Sequence, residues 1–210
     1  MNKKTSDEII SLLKEIIKNP KSELNFTNNY ELVVSVILSA QTTDKRVNEI
    51  TPSLFLKYND FNSLAYANIN DVINIIKPLG MANNKAKNII NMAKEVITNY
   101  NGILPNDLGS LMKLSGVGRK TASVILALGF NIPAFPVDTH LIRMANVFKY
   151  VKNESSAIKI EQAYKKYIKK EDWILAHHLF LLFGRYHCKA IKPECEGCKL
   201  IKYCTKRDYS

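Results

Sequence analysis

Apolar residues recur at helical spacing along almost the whole of this 210-residue chain, and strand alternation is nearly absent. A chain of helices alone must bury each apolar stripe against other helices, so the fold class is all-α. Ile9, Leu12, Leu13, Ile16 and Ile17 form the first stripe, with Ser6-Asp7 as its expected cap and Pro20 beyond its end. A second helix is expected from Tyr30 to about Ala40. Asp44 is expected to cap a third, and Thr51-Pro52 reads as the cap and first turn of another. Asn70-Asp71 opens a short piece ending near Pro78-Leu79-Gly80. A longer helix over 84–100 follows, then a brief one capped by Asn106-Asp107 and ending at Leu114. Past a break at 132–136, Asp138 is placed to cap a helix containing Leu141, Ile142, Ala145 and Val147. Helices over 155–169 and 173–186 complete the set. No internal repeat occurs at a fixed period.

Thirty Lys and Arg against nineteen Asp and Glu leave a net charge of +11, which favours a polyanionic partner, nucleic acid above all. No apolar run is long enough to cross a bilayer, and the start MNKKTSDEII lacks a signal peptide's apolar stretch. An intracellular, soluble protein is expected, cytoplasmic or nucleoid-associated. All four cysteines fall in the tail, at Cys188, Cys195, Cys198 and Cys204, in the spacing C-x6-C-x2-C-x5-C. Disulfides so close together would staple only the tail, and a reducing compartment disfavours them. Four thiolates in so short a segment point to a metal centre, and both zinc and a [4Fe–4S] cluster accept four cysteines.

Between two apolar runs lies SGVGRKT, residues 115–121, followed by Ala122, Ile125, Leu126 and Gly129 at helical spacing. Glycines let another backbone or a ligand approach, and a helix start offers free N–H groups and a positive dipole end, so an anion is the natural guest. Arg119 is then a plausible phosphate contact. Lys120 has the wrong sign for that end of a helix. The segment is not a Walker A loop, because Leu114 stands at the first-glycine place and Arg119 precedes Lys120. Nor is it a dinucleotide fingerprint, because position 121 is Thr.

The stretch LMKLSGVGRKTASVIL resembles a helix-hairpin-helix DNA-binding motif. About twenty residues on comes FPVDTH, and then HHLFLLFGRYHCKAIKPECEGCKLIKYC with its spaced cysteines. With VILSAQTTDKRVN and PLGMANNKAKNI upstream, the ordered set resembles the endonuclease III family of base-excision DNA glycosylases from about residue 30 to 204. The resemblance implies two helical lobes with a DNA-binding cleft between them. One would be a helical barrel over 22–133 carrying the hairpin at 115–118. The other would combine 1–21 with 134–210 and hold a [4Fe–4S] cluster on the four cysteines, within 188–204. Family members usually carry Pro where this chain has Ser115, which supplies an N–H and a hydroxyl instead.

By the same resemblance Lys120 is the nucleophile of a bifunctional glycosylase and AP lyase acting on oxidised pyrimidines in duplex DNA. Nucleophilic attack requires the neutral amine. Asp138 matches the catalytic carboxylate, while taken alone it is an N-cap. Gly116, Val117 and Gly118 would hold a phosphate through their amides, with Arg119 beside them. The target nucleotide must leave the stack, and Gln41 and Met81 would fill the gap. His140 would support the active-site loop. His177, His178 and His187 read as structural. Arg185 and the cations from Lys189 to Lys206 form a candidate DNA-facing patch. The partner is double-stranded DNA with a damaged base or abasic site, and a monomer is expected. The alternatives are a monofunctional mismatch glycosylase, whose relatives usually lack lysine at the Lys120 position, and a non-catalytic helix-hairpin-helix binding protein.

Overall fold

The structure, a computed structural model, describes residues 1–205. Among the described residues there are helices and turns but no strand, as the spacing predicts. The chain forms two compact units: Ser22–Ile132, and Met1–Lys21 together with Pro133–Ser210. No helix among the described residues is long and apolar enough to cross a membrane.

The continuous unit contains α2 (Asn29–Leu38), α3 (Asp44–Lys57), α4 (Phe61–Ala65), α5 (Ile69–Ile76), α6 (Ala82–Tyr100), α7 (Leu108–Leu111) and α8 (Arg119–Phe130). Every residue of α2 from Leu32 to Leu38 is buried, so this helix has no solvent face and must be surrounded; α3, α6 and α8 pack on it. Its junction with α8 is tight. A Cβ on Gly129 would lie 2.7 Å from Asn29 Oδ1 and 2.9 Å from Leu32 Cδ2, so only glycine lets the two helices approach this closely. Thr43, not Asp44, caps α3 by accepting from the Arg46 N–H. Pro52 lies inside α3 rather than starting a new helix. A proline in a helix interior costs about 3 kcal/mol. Here the buried stripe Val47, Thr51 and Leu54 holds the helix continuous through it.

The other unit contains α1 (Lys3–Ile16), α9 (Thr139–Val147), α10 (Ala157–Tyr167) and α11 (Trp173–Leu182), and then a π-helical turn at Phe183–His187 that leads into the cysteine segment. The Asn2 side chain caps α1 by accepting from the Thr5 N–H, one turn ahead of the expected Ser6-Asp7 cap. Ser6 instead sits fully buried, its hydroxyl 2.6 Å from that of Tyr150. The core is aromatic: Phe135 stacks on Tyr164 at 4.7 Å between centroids, and Tyr150, Phe148, Phe180 and Phe183 surround them. Such ring pairs add about 0.5–1.5 kcal/mol each beyond the area they bury. Tyr164 is completely enclosed, donates to the Leu141 carbonyl at 3.1 Å, and so ties α10 to the first turn of α9. Burial pushes its phenol far above the ordinary tyrosine range.

Candidate DNA-processing site

The hairpin at 115–118 is a tight turn seated in the continuous unit. The Val117 N–H donates to the Leu114 carbonyl at 3.0 Å, and Gly116 between them has φ 78°, a left-handed conformation that favours glycine. A Cβ there would also lie 3.0 Å from Asn88 Cβ and 3.1 Å from Ile37 Cγ2. Leu111, Leu114 and Val117 point into the core, while Gly116, Gly118, Arg119 and Lys120 are exposed. Gly118 is the N-cap of α8, and no side chain among the described residues caps that helix. The turn therefore presents a helix N-terminus to solvent, with Arg119 and Lys120 as its first two residues, an arrangement suited to receiving an anion.

Ser115 does not offer its donors to a ligand. Its N–H and its hydroxyl both donate to the carboxylate of Glu95 on α6, each at 2.7 Å. Sequence reasoning missed Glu95, because its partner lies twenty residues away and no local pattern pairs them.

Gln41 and Met81 belong to two neighbouring loops of the same unit. Both are exposed, Met81 by 46%, and both have left-handed backbones, at φ 53° and 49°. Neither is a glycine, so each costs about 1–3 kcal/mol of backbone strain that the surrounding structure must hold. At that exposure Met81 is not packed into the core. The Thr42 hydroxyl donates to the Leu79 carbonyl at 2.8 Å, tying the two loops together. Lys85, a second residue that sequence reasoning missed, donates to both of these oxygens from beneath.

Asp138 and His140 lie in the other unit, at the start of α9. Asp138 is the N-cap, accepting from the Leu141 N–H at 3.0 Å, and is half-buried. Burial pulls the His140 imidazole below its ordinary value; Asp138 opposes that, and Arg143 and Arg185 add to it. The Arg143 guanidinium, 3.4 Å from His140 Nδ1, donates to the carbonyls of Gly184 at 2.6 Å and Cys188 at 2.9 Å. It thereby joins the start of α9 to the π turn and the first cysteine. Its charge is read easily from sequence, but its role is not, since both acceptors are backbone atoms forty or more residues away.

Cys188, Cys198 and Cys204 pack against the aromatic core, and all four cysteines are half-buried. Burial pushes the Cys198 thiol up, and Cys195 and Cys204 push the same way. Among the described residues no three His, Cys, Asp or Glu side chains converge where a single metal ion would be held. Several tail cations are already paired within their unit. Lys189 meets Glu194 at 2.9 Å and Lys199 meets Glu15 at 2.7 Å, while Lys202 lies over the Tyr203 ring. Lys206 of the expected basic patch lies outside the described residues.

Comparisons with known proteins bear on these features. The model of the HhH-GPD superfamily base excision DNA repair proteins matches residues 34–170. The chain is 38% identical to endonuclease III of Bacillus subtilis over 99% of its own length and 96% of that protein's. It is 41% identical to endonuclease III of Rickettsia conorii, covering 94% of each, and 36% identical to that of Escherichia coli K12, covering 99% and 98%. Among solved structures, a trapped endonuclease III–DNA covalent intermediate with an estranged adenine matches at a TM-score of 0.95 and 36% identity, over 100% of this chain and 98% of the other. A thermostable thymine-DNA glycosylase shares the fold, with a TM-score of 0.88 at 22% identity over 99% and 98%.

Proposed function

Because this chain belongs to the HhH-GPD superfamily of base excision DNA repair proteins and to its endonuclease III family, we propose that it is a bifunctional DNA N-glycosylase and AP lyase that removes oxidised pyrimidines from duplex DNA. The observation that carries this reading is the position of Lys120, an exposed amine on the first turn of α8, directly behind a turn built to receive a phosphate. Trapping of an endonuclease III on DNA as a covalent intermediate supports the same chemistry.

The hairpin amides bind a backbone phosphate near the lesion, and Arg119 adds charge. Gln41 and Met81 enter the stack where the damaged nucleotide has left it; the exposed thioether chain of Met81 supplies apolar surface in place of the lost stacking. Lys120 Nζ attacks the sugar C1′ after losing a proton, for which Asp138 is the assigned acceptor. The C1′–N bond to the base breaks, and the base departs with the bonding pair. Asp138 also stabilises positive charge growing on the sugar. The sugar ring then opens as the C1′–O4′ bond breaks, O4′ leaving with the bonding pair and taking up a proton. The Schiff base so formed acidifies the neighbouring C2′ hydrogen. Its removal expels the 3′ oxygen with its phosphate, cutting the strand on the 3′ side. His140 holds the first turn of α9 as a neutral imidazole.

Cys188, Cys195, Cys198 and Cys204 would hold a [4Fe–4S] cluster, and four thiol donors fit it. A tetrahedral zinc site would draw all four sulfurs to within about 2.3 Å of one point. A [4Fe–4S] cluster would instead take one thiolate from each of the four cysteines, soft donors that suit iron–sulfur centres. When bound, the cluster would supply a compact, redox-capable nucleus that offsets part of the thiolates' charge and folds the tail. It takes no part in the bond-breaking.

Borohydride reduction on an abasic duplex tests the proposal. The parent protein should form a covalent adduct mapping to Lys120, and Lys120→Gln should form none. An adduct that persists in Lys120→Gln, or that maps to another side chain, would remove the assignment.

A further inference from the structure

The turn at Leu114–Val117 has a particular requirement at its second position. With Gly116 at φ 78° in the third place and the Val117 N–H bonded to the Leu114 carbonyl, it follows the type II pattern, whose second residue sits near φ −60°, ψ +120°. Proline satisfies that position by its ring; serine has no such bias, and its hydroxyl offers the backbone competing local hydrogen bonds. In this chain Glu95 removes those alternatives. One carboxylate oxygen takes the Ser115 N–H and the other takes its hydroxyl, so both the peptide plane and the side-chain rotamer are fixed by one partner. Glu95 and Asn88 lie two helical turns apart on the same face of α6, and Asn88 Cβ abuts the Gly116 position. Helix α6 therefore grips the turn at both of its central residues.

We propose that Glu95 is a positioning residue for DNA binding: its two-point grip on Ser115 holds the turn in the conformation that presents the N-terminus of α8 to a phosphate. This rests on the reading of the hairpin as a phosphate site. A turn formed only part of the time lowers apparent affinity by the fraction formed. Charge-assisted hydrogen bonds of this kind are worth enough to change that fraction about tenfold.

The test uses the full chain and a duplex carrying a tetrahydrofuran abasic analogue, which binds without reacting. Glu95→Gln, which removes the charge and one of the two acceptor oxygens, should speed hydrogen exchange at the Val117 amide and weaken binding about tenfold. Thermal melting confirms that the variant stays folded. Ser115→Pro placed in the Glu95→Gln background should restore both readouts, because the ring supplies the backbone angle that the carboxylate otherwise enforces. A merely stabilising contact would not be rescued this way. Val117 exchange unchanged in Glu95→Gln, or no recovery with proline, overturns the grip. Faster exchange with unchanged affinity instead overturns the phosphate site on which the proposal rests.

Discussion

The Lys85 ammonium group lies 2.6 Å from the Thr42 hydroxyl, joining residues 43 positions apart. Lys85 is only 3% exposed, and it also donates to the Leu79 carbonyl at 3.0 Å. Burial holds its pKa below the ordinary lysine range. This buried amine is the pin under the two loops that carry Gln41 and Met81 in strained backbone conformations. Lys85→Met leaves two oxygens short of a donor and should cost about 1–3 kcal/mol of stability. It should also lower activity on a lesion-bearing duplex more than on the same lesion in a single strand, where no stack needs filling. Parallel kinetics on the two substrates check this; equal losses would deny the pin any link to the Gln41 and Met81 loops.

Asp138 carries two separable duties. As the N-cap it accepts from the Leu141 N–H, and asparagine caps about as well as aspartate. Asp138→Asn should therefore melt within about 0.5 kcal/mol of the parent while base release falls steeply. Asp138→Ala should lose both, with about 0.5–2 kcal/mol of stability gone. Base-release assays beside denaturant titrations measure the two effects. Full activity in Asp138→Asn would reduce the residue to a cap.

What could be read from the sequence is what local chemistry determines. The helical period of α6 and α8, the Asp107 and Asp138 caps and the glycine spacing of the hairpin are all set by residues within a turn or two of one another. Distant partners are invisible to such a reading. Ser6 resembles a helix cap until Tyr150 supplies its buried hydroxyl partner, and Pro52 resembles a helix start until the burial of Val47, Thr51 and Leu54 carries α3 through it. The five residues of α4 are too few to show a period. Glu95, Lys85 and Arg143 look like ordinary surface charges on amphipathic helices. Only the fold turns each inward, toward Ser115, toward Thr42 and Leu79, and toward the Gly184 and Cys188 carbonyls.

Two histidines make stability depend on pH with a definite sign. His178 is buried, its Nδ1 lacks a hydrogen-bond partner among the described residues, and desolvation pulls its pKa down. Burial lowers His140 as well. A histidine lowered in the folded state favours the neutral form. Its contribution is complete above the ordinary value near 6.5 and is lost as pH falls through the folded pKa, because the unfolded chain takes up protons first. The denaturation midpoint should thus drop between about pH 7 and pH 5. His178→Phe, which keeps a ring of similar size and removes the titrating group, should flatten that slope. A slope that stays as steep in the variant would assign it to other groups.

The cysteine tail gives the sharpest test of the cofactor. In the protein chain alone, burial raises the Cys198 thiol and its neighbours Cys195 and Cys204 raise it further, so ionising Cys198 is opposed. Bound iron reverses that sign, since each thiolate then faces a cation rather than other thiolates. The purified protein should therefore contain iron and sulfide in the proportions of a [4Fe–4S] cluster, without stoichiometric zinc. Cys198→Ser should abolish the iron–sulfur absorbance. It should also lower the melting temperature, because Leu200 and Cys204 pack on the same aromatic core that the cluster would hold the tail against. Metal analysis with thermal melting of parent and variant decides it. One zinc per chain, or iron retained in full by Cys198→Ser, would refute the ligand set.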